Sequence, residues 1–379
     1  MTRTGTTGRT THDLAVVGAG ILGLAHALAA ARRGLRVVVI DRDARANGAS
    51  IRNFGFVVVT GQKPGEDRAR AERSRDIWLG IAAEAGIAIE HRGTILAARR
   101  PEAMDLLAAF MHEGGAEGCR LLGRAELGDL QPGIEAGAMA GGLYSPHEVR
   151  VNSRLALPRL AAYLARVHGV EFRFGTAVTA IAPPLIETGA GPIRAAKVVV
   201  CPGDDLSGLY ASRISARGVT RCKLQMMRLA APGFRLRAGV LSDLSLLRYG
   251  GFAGLPQADA LRRRLEGEQP EMLANGVHVI VVQDADGTLV VGDSHHYDPT
   301  PDPFGSDEVD RLILAEFAAV FGPRPIPVIE RWTGTYAVAD GSAFRDAPER
   351  DVRLVMVTSG TGASTGFAIG EETVAELFG

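Results

Sequence analysis

The segment 13–55, DLAVVGAGILGLAHALAAARRGLRVVVIDRDARANGASIRNFG, constrains the fold more than any other part of the chain. An apolar run at 14–17 ends in Gly18, Gly20 and Gly23, and an alanine-rich stretch follows that stops at Gly34. A second apolar run, Val37–Ile40, ends in Asp41. This order predicts strand, tight turn, helix and strand. Gly18 makes the turn out of the strand, Gly20 lets backbone N–H groups approach a pyrophosphate, and Gly23 lets helix and strand pack closely. Ile21 and Leu22 open the helix, whose positive end receives the phosphates. Asp41 is placed to accept hydrogen bonds from a ribose, with Arg42 beside it. Glycines alone are a weak signal; glycines, helix, second strand and acid in one register predict a dinucleotide site.

At 379 residues the chain is too long for one compact core, so two intertwined domains are expected. The charge of -1, from 42 basic and 43 acidic residues, leaves no basic excess for a nucleic-acid partner. Cys119, Cys201 and Cys222 show no CxxC spacing, so neither a zinc site nor a disulfide framework is expected, and no metal is. Residues 1–12 are polar without an apolar centre, which does not fit a secretory signal and predicts disorder. No run approaches the ~18 apolar residues of a membrane span. The chain is therefore expected to be cytoplasmic, without a membrane partner; its oligomeric state stays open.

Further along, helices are predicted over 67–85, from Pro101 to Phe110 and from Ser153 to about His168, each with a glycine stop. EFRFGTAVTAI and AAKVVVCPG read as strands. From 219 the pattern changes to long strands. TRCKLQMMRLAA alternates, with Lys223, Gln225 and Met227 on one face and Cys222, Leu224 and Met226 on the other. Two strands flank a turn at Asp286-Gly287, Ser306 caps a helix through Phe321, and IPVIERWTGTYAV is a further strand. The end, RLVMVTSGTGASTGFAIGEETVAELF, reads as strand, Gly/Ser/Thr loop and helix.

The polar loop after Asp41, DRDARANGASIRNFGFVVV, taken with the glycine turn and this C-terminal element, resembles the FAD-dependent oxidoreductases of the D-amino-acid oxidase, glycine oxidase and sarcosine oxidase superfamily. The resemblance implies an α/β (α+β mixed) fold, with a Rossmann-like FAD-binding domain interwoven with an antiparallel-sheet substrate domain. It assigns 1–88, 148–218 and 332–379 to the first and 89–147 and 219–331 to the second. It makes Ala49, Ser50, Arg52, Asn53, Phe54 and Gly55 contacts to FAD, along with Val178 and Gly203. At the C-terminus it adds Gly362, Ala363, Ser364, Thr365, Gly366 and Phe367, where a helix N-terminus faces the pyrimidine end of the flavin and stabilises charge gained on reduction.

Departures from that family qualify the chemistry. Thr365 and Ala368 stand where sarcosine-oxidase relatives have histidine and lysine, and Val290 stands where they carry the lysine credited with oxygen activation. The C-terminal loop holds no cysteine, so the FAD is expected to be non-covalent. RWTGTYAVADG lacks the arginine that grips an amino-acid carboxylate, with Tyr336 close to that position. LYSPHEVRVNSRLALP, LQMMR, GDSHHY and RWTGTY resemble a clade linked to aminophosphonate breakdown. On that resemblance the substrate is a small amine related to 2-aminoethylphosphonate. Hydride passes to the flavin, the imine is hydrolysed to an aldehyde, and electrons go on to O2 or another acceptor. His295, His296 and Tyr336 are the catalytic candidates, and Lys223, Gln225, Arg248, Tyr297 and Trp332 the substrate-binding ones. Two alternatives stand beside this reading: oxidation of a D-amino acid, glycine or an N-methylamino acid, and a non-catalytic flavin-binding protein.

Overall fold

The computed structural model describes residues 12–379. The expected disorder of the N-terminus therefore lies outside the described residues, except at His12, which already belongs to the first strand. Five parallel strands form the nucleotide layer, in the order Glu171–Arg173, Val37–Ile40, His12–Val17, Ile193–Val200, Val352–Ser359. These strands are apolar on both faces because both faces are covered, as parallel sheets require. Leu14, Val16, Val37 and Val39 pack under the helices Ile21–Arg32, Ser153–His168 and Gly362–Phe378. Ala15, Val38, Val198, Val200 and Leu354 fill the opposite side, with Ile186 and Ile214.

The second layer is mostly antiparallel. Its strands run Gly141–Arg150, His91–Ala98, Gly239–Ser242, Ile280–Gln283, Leu289–Gly292, Thr220–Leu229 and Val328–Glu349. The pair His91–Ala98 and Gly239–Ser242 is parallel, so this part is mixed. The largest core cluster lies here. Val328–Glu349 continues the predicted strand 326–338 well past its expected end. It pairs with Thr220–Leu229 through Val338 and then with Val352–Ser359 from Ala343 onward. One strand thus joins the two layers into a single sheet, and the cleft between the layers lies beside that crossover.

Predicted helix limits agree closely with the structure at Pro101–Phe110, Ser153–His168 and Asp307–Phe321. The first of these opens on proline at its first turn. Asn152 caps the second by accepting from Arg154 N–H, and Ser306 caps the third by accepting from Val309 N–H. The expected hairpin appears as Ile280–Gln283 and Leu289–Gly292, with Gly287 at φ +89° in its turn. Among the described residues no helix is long and apolar enough to cross a membrane.

Candidate active site

A cavity of about 550 Å³ runs between the layers. One wall is the glycine turn and the start of the first helix, from Gly20 to Gly23. Gly18 sits at φ +106°, where a Cβ would come 2.4 Å from the Cys201 carbonyl oxygen, and a Cβ on Gly23 would come 1.8 Å from that of Gly18. Both glycines are required by the fold itself. Gly20 differs: its nearest neighbour is Ser50 Oγ, 3.1 Å away, and its backbone is extended, so its missing Cβ leaves space in the cavity wall. No side chain caps this helix, although Ile21 N–H donates to Ser50 Oγ at 3.0 Å. The last helix, Gly362–Phe378, has no side-chain cap either, and Gly362, Ala363 and Ser364 line the same cavity. Two helix N-termini facing one space suit a pyrophosphate and an electron-rich ring edge.

Ala49, Ser50, Arg52, Asn53, Phe54 and Gly203 also line the cavity. Asn53 stiffens its loop, donating to the Ala49 carbonyl at 2.7 Å and accepting from Gly55 N–H at 2.8 Å. The Asp41 carboxylate accepts from Ala19 N–H at 2.6 Å and from Asp43 N–H at 2.8 Å, which fixes it beside the glycine turn. These features, an open cradle at Gly20, two uncapped helix ends and a fixed acid, fit a dinucleotide such as FAD.

Several expected cofactor contacts stand elsewhere. Arg42 does not line the cavity; it pairs with Asp205 at 2.6 Å. Val178 lies in the hairpin Val178–Ala182 with Leu185–Thr188, opposite Thr188. A Cβ on Gly55 would strike the Val151 carbonyl oxygen at 1.9 Å, which makes this glycine a packing requirement. Thr365 is turned back to the Thr361 carbonyl at 3.1 Å, Phe367 meets the edge of Trp78 at 4.9 Å, and Gly366 rests against Ile21 and Leu22. These three form a layer behind the wall. Val290 is buried in the larger core and does not line the cavity either.

At the far end, Arg248, Tyr249, His278, Asp293, His295, Tyr297 and Tyr336 close the cavity. The Arg248 guanidinium donates to Tyr297 Oη at 2.6 Å and to Tyr336 Oη at 2.7 Å. Burial pushes the Tyr336 phenol well above its ordinary value. Among the described residues no carboxylate lies within ion-pair distance of Arg248, although Asp293 is near enough to feel its charge. An arginine distant in sequence thus stands beside Tyr336. His295 donates through Nδ1 to the Gly276 carbonyl at 2.9 Å, and burial with the nearby Arg248 cation holds its pKa well below the usual value. It is therefore a neutral ring near pH 7.

Four other expected residues face away. The alternation along Thr220–Leu229 turns Leu224 toward the cavity and Lys223 and Gln225 to the other side. Lys223 pairs there with Asp302 at 2.9 Å. Gln225 holds the helix Asp307–Phe321, donating to the Ser306 carbonyl and Asp310 and accepting from Ser306 N–H. His296 bonds Asn275 Oδ1 at 3.0 Å, away from the cavity. Trp332 donates to the Arg52 carbonyl at 3.2 Å and stacks under Arg154 at 4.6 Å, bracing the flavin loop from outside. Lys223→Ala is accordingly expected to leave kcat/KM nearly unchanged, because its ammonium pairs with Asp302 outside the cavity; steady-state kinetics on any accepted amine checks it. His278, Asp293 and Tyr249 escape a sequence reading because buried polar residues inside apolar strands and short turns carry no spacing signature.

A parallel sheet with an anion-ready glycine turn, joined edge to edge to a mixed sheet that roofs a polar cleft, defines a two-layer flavin- or nicotinamide-type oxidoreductase. Family comparison is specific: residues 13–376 match the model described as FAD dependent oxidoreductase. The chain belongs to this family and is FAD-dependent on that ground. It is 33% identical over 153 residues to D-amino acid dehydrogenase 2 of Mesorhizobium japonicum, covering 37% of this chain and 36% of that protein. It is 28% identical over 223 residues to glycine oxidase of Geobacillus kaustophilus, covering 54% of this chain and 57% of that one. These alignments span about a third to just over half of the relatives' lengths. Among solved structures, the glycine oxidase of Geobacillus kaustophilus superposes with TM-score 0.74 at 21% identity over 97% of this chain and 94% of that one. The L-proline dehydrogenase of P. horikoshii gives 0.76 at 19% identity, over 97% and 93%.

Proposed function

We propose that the protein oxidises a small amine whose acidic head group is held by Arg248. The observation that carries this reading is the Arg248 guanidinium, whose hydrogen bonds go to two phenols, Tyr297 and Tyr336, at the end of the cleft. A charged donor facing a planar or tetrahedral oxyanion makes strong, directional hydrogen bonds. In this reading residues 1–88, 148–218 and 332–379 carry the cofactor, and 89–147 and 219–331 shape the substrate side. FAD, when bound, supplies the acceptor for the hydride leaving the carbon next to nitrogen. The chain's own part is placement: Arg248 fixes the head group, and Leu224 and Tyr336 bound the space beside it.

The acid is a phosphonate in the reading favoured by the four motifs shared with the aminophosphonate-linked clade. Lys63, which also lines the cavity, provides a second cation for a dianion. A carboxylate is the second reading, favoured by Arg248 itself and by the named activities of the glycine oxidase and D-amino acid dehydrogenase relatives. Comparing kcat/KM for 2-aminoethylphosphonate and its N-methyl form with glycine, sarcosine and D-alanine decides between them. Faster turnover of either carboxylate set overturns the phosphonate assignment.

Cys201 is the cysteine on the cavity wall, and burial raises its thiol pKa far above the neutral range, so it is unsuited to a covalent flavin link. Acid precipitation is expected to leave all of the yellow chromophore in the supernatant as intact FAD. Colour retained by the washed precipitate contradicts this.

A further inference from the structure

Asp293 follows the strand Leu289–Gly292 and brings a carboxyl group, 5% exposed, into the cavity wall. Its Oδ1 lies 3.3 Å from His278 Nε2 without the alignment of a hydrogen bond, and its Oδ2 lies 3.9 Å from His295 Nε2. Both histidines are tied by their other nitrogen: His295 Nδ1 to the Gly276 carbonyl, and His278 Nδ1 to Ser245 Oγ at 3.0 Å. The two rings are nearly parallel, 19° apart with centroids at 5.0 Å. Imidazole lone pairs lie in the ring plane. Stacked parallel rings therefore do not aim them at one point, and the cluster is shaped for a proton more than for a metal ion.

An alkyl ammonium loses its proton only near pH ~10, and its carbon releases hydride only once the nitrogen lone pair is free. A proton acceptor is needed near neutrality. The groups around the Asp293 carboxyl are Arg248, Tyr249, Tyr336, Cys222, His278 and His295. Arg248 stays charged. Burial keeps Tyr249, Tyr336 and Cys222 protonated, and holds His278 neutral, its pKa down at about 3. His295 is held neutral as well. Burial pushes Asp293 up to about 7, with the Arg248 cation limiting the rise.

We propose that Asp293 is the proton acceptor for the substrate ammonium. One N–H bond breaks, its electron pair stays on nitrogen as the lone pair, and the proton joins the Asp293 carboxylate. Ammonium and carboxylate become neutral amine and carboxylic acid. His278 and His295, uncharged, flank the carboxyl group with their Nε2 edges. This inference rests on the amine oxidation proposed above.

The test is Asp293→Asn, which keeps size and removes a buried charge, so that the fold and FAD content are retained. Anaerobic reduction of the flavin in the holoenzyme is followed with the best amine of the panel across pH. The variant is expected to be roughly 10²- to 10⁴-fold slower at pH 7. The deficit should shrink below about tenfold by pH ~10, where the amine arrives already deprotonated. The wild-type bend in kcat/KM near pH 7 should vanish. Independently of turnover, infrared difference titration should show a protonated-carboxyl band with its midpoint near pH 7 in the wild type and none in the variant. A deficit that is constant with pH marks a merely structural residue and overturns the proposal. So does an unchanged profile, or a stoichiometric metal that the substitution removes. If no amine reduces the wild-type flavin, the amine reading falls, and this inference with it. If amines reduce both proteins alike, this inference falls alone.

Discussion

Arg248→Met is expected to lower kcat/KM for an anionic amine by roughly 10²- to 10⁴-fold. The guanidinium offers two aligned N–H groups, now resting on Tyr297 and Tyr336, and each charge-assisted bond to an oxyanion contributes ~1.5–3 kcal/mol. Losing both converts, at about 1.4 kcal/mol per decade, to that range. A neutral alkylamine of similar size lacks the head group and should lose less than about threefold, and FAD content should be unchanged. The contrast between the two substrate types is the measurement. Equal losses for both would show that Arg248 supports the roof and not the substrate.

The second large effect separates two neighbouring glycines. Gly20→Val should fold, because the backbone there is extended and the added Cβ meets only the Ser50 hydroxyl at 3.1 Å. It fills the cradle, however, and at least two charge-assisted bonds to phosphate are lost. At ~1.5–3 kcal/mol each, FAD binding should weaken by roughly 100-fold or more, giving a colourless but folded protein. Gly23→Val should not fold at all, since its Cβ overlaps the Gly18 carbonyl oxygen at 1.8 Å. Circular dichroism together with flavin absorbance of the two variants distinguishes the outcomes. A yellow Gly20→Val protein would remove the glycine turn from the cofactor site.

The nucleotide half was legible because its constraints are local. Strand, turn and helix in 12–40 follow from contiguous patterning, and the acid at 41 is fixed by the backbone it bonds. The Gly/Ser/Thr loop was legible for the same reason. The substrate end depends on which face of a strand looks inward. The alternation of Lys223 and Gln225 was read correctly, but their side of the strand faces the helix Asp307–Phe321, a long-range packing choice that periodicity does not encode. Trp332 similarly braces a loop far away in sequence. Arg248 comes from a short turn and meets a tyrosine 88 positions later. Asp293 and His278 read as core residues from their neighbours, and only the fold brings their polar atoms to the cavity wall.

The central claim, an FAD-dependent oxidation of an acidic amine, is tested most directly by anaerobic absorbance titration of the purified yellow protein. Aminophosphonates and the matching amino carboxylates are added one at a time. The account predicts that at least one acidic amine bleaches the oxidised flavin band completely, far faster than an uncharged amine of equal length. Flavin left fully oxidised by every acidic amine, or bleached equally well by uncharged ones, contradicts it.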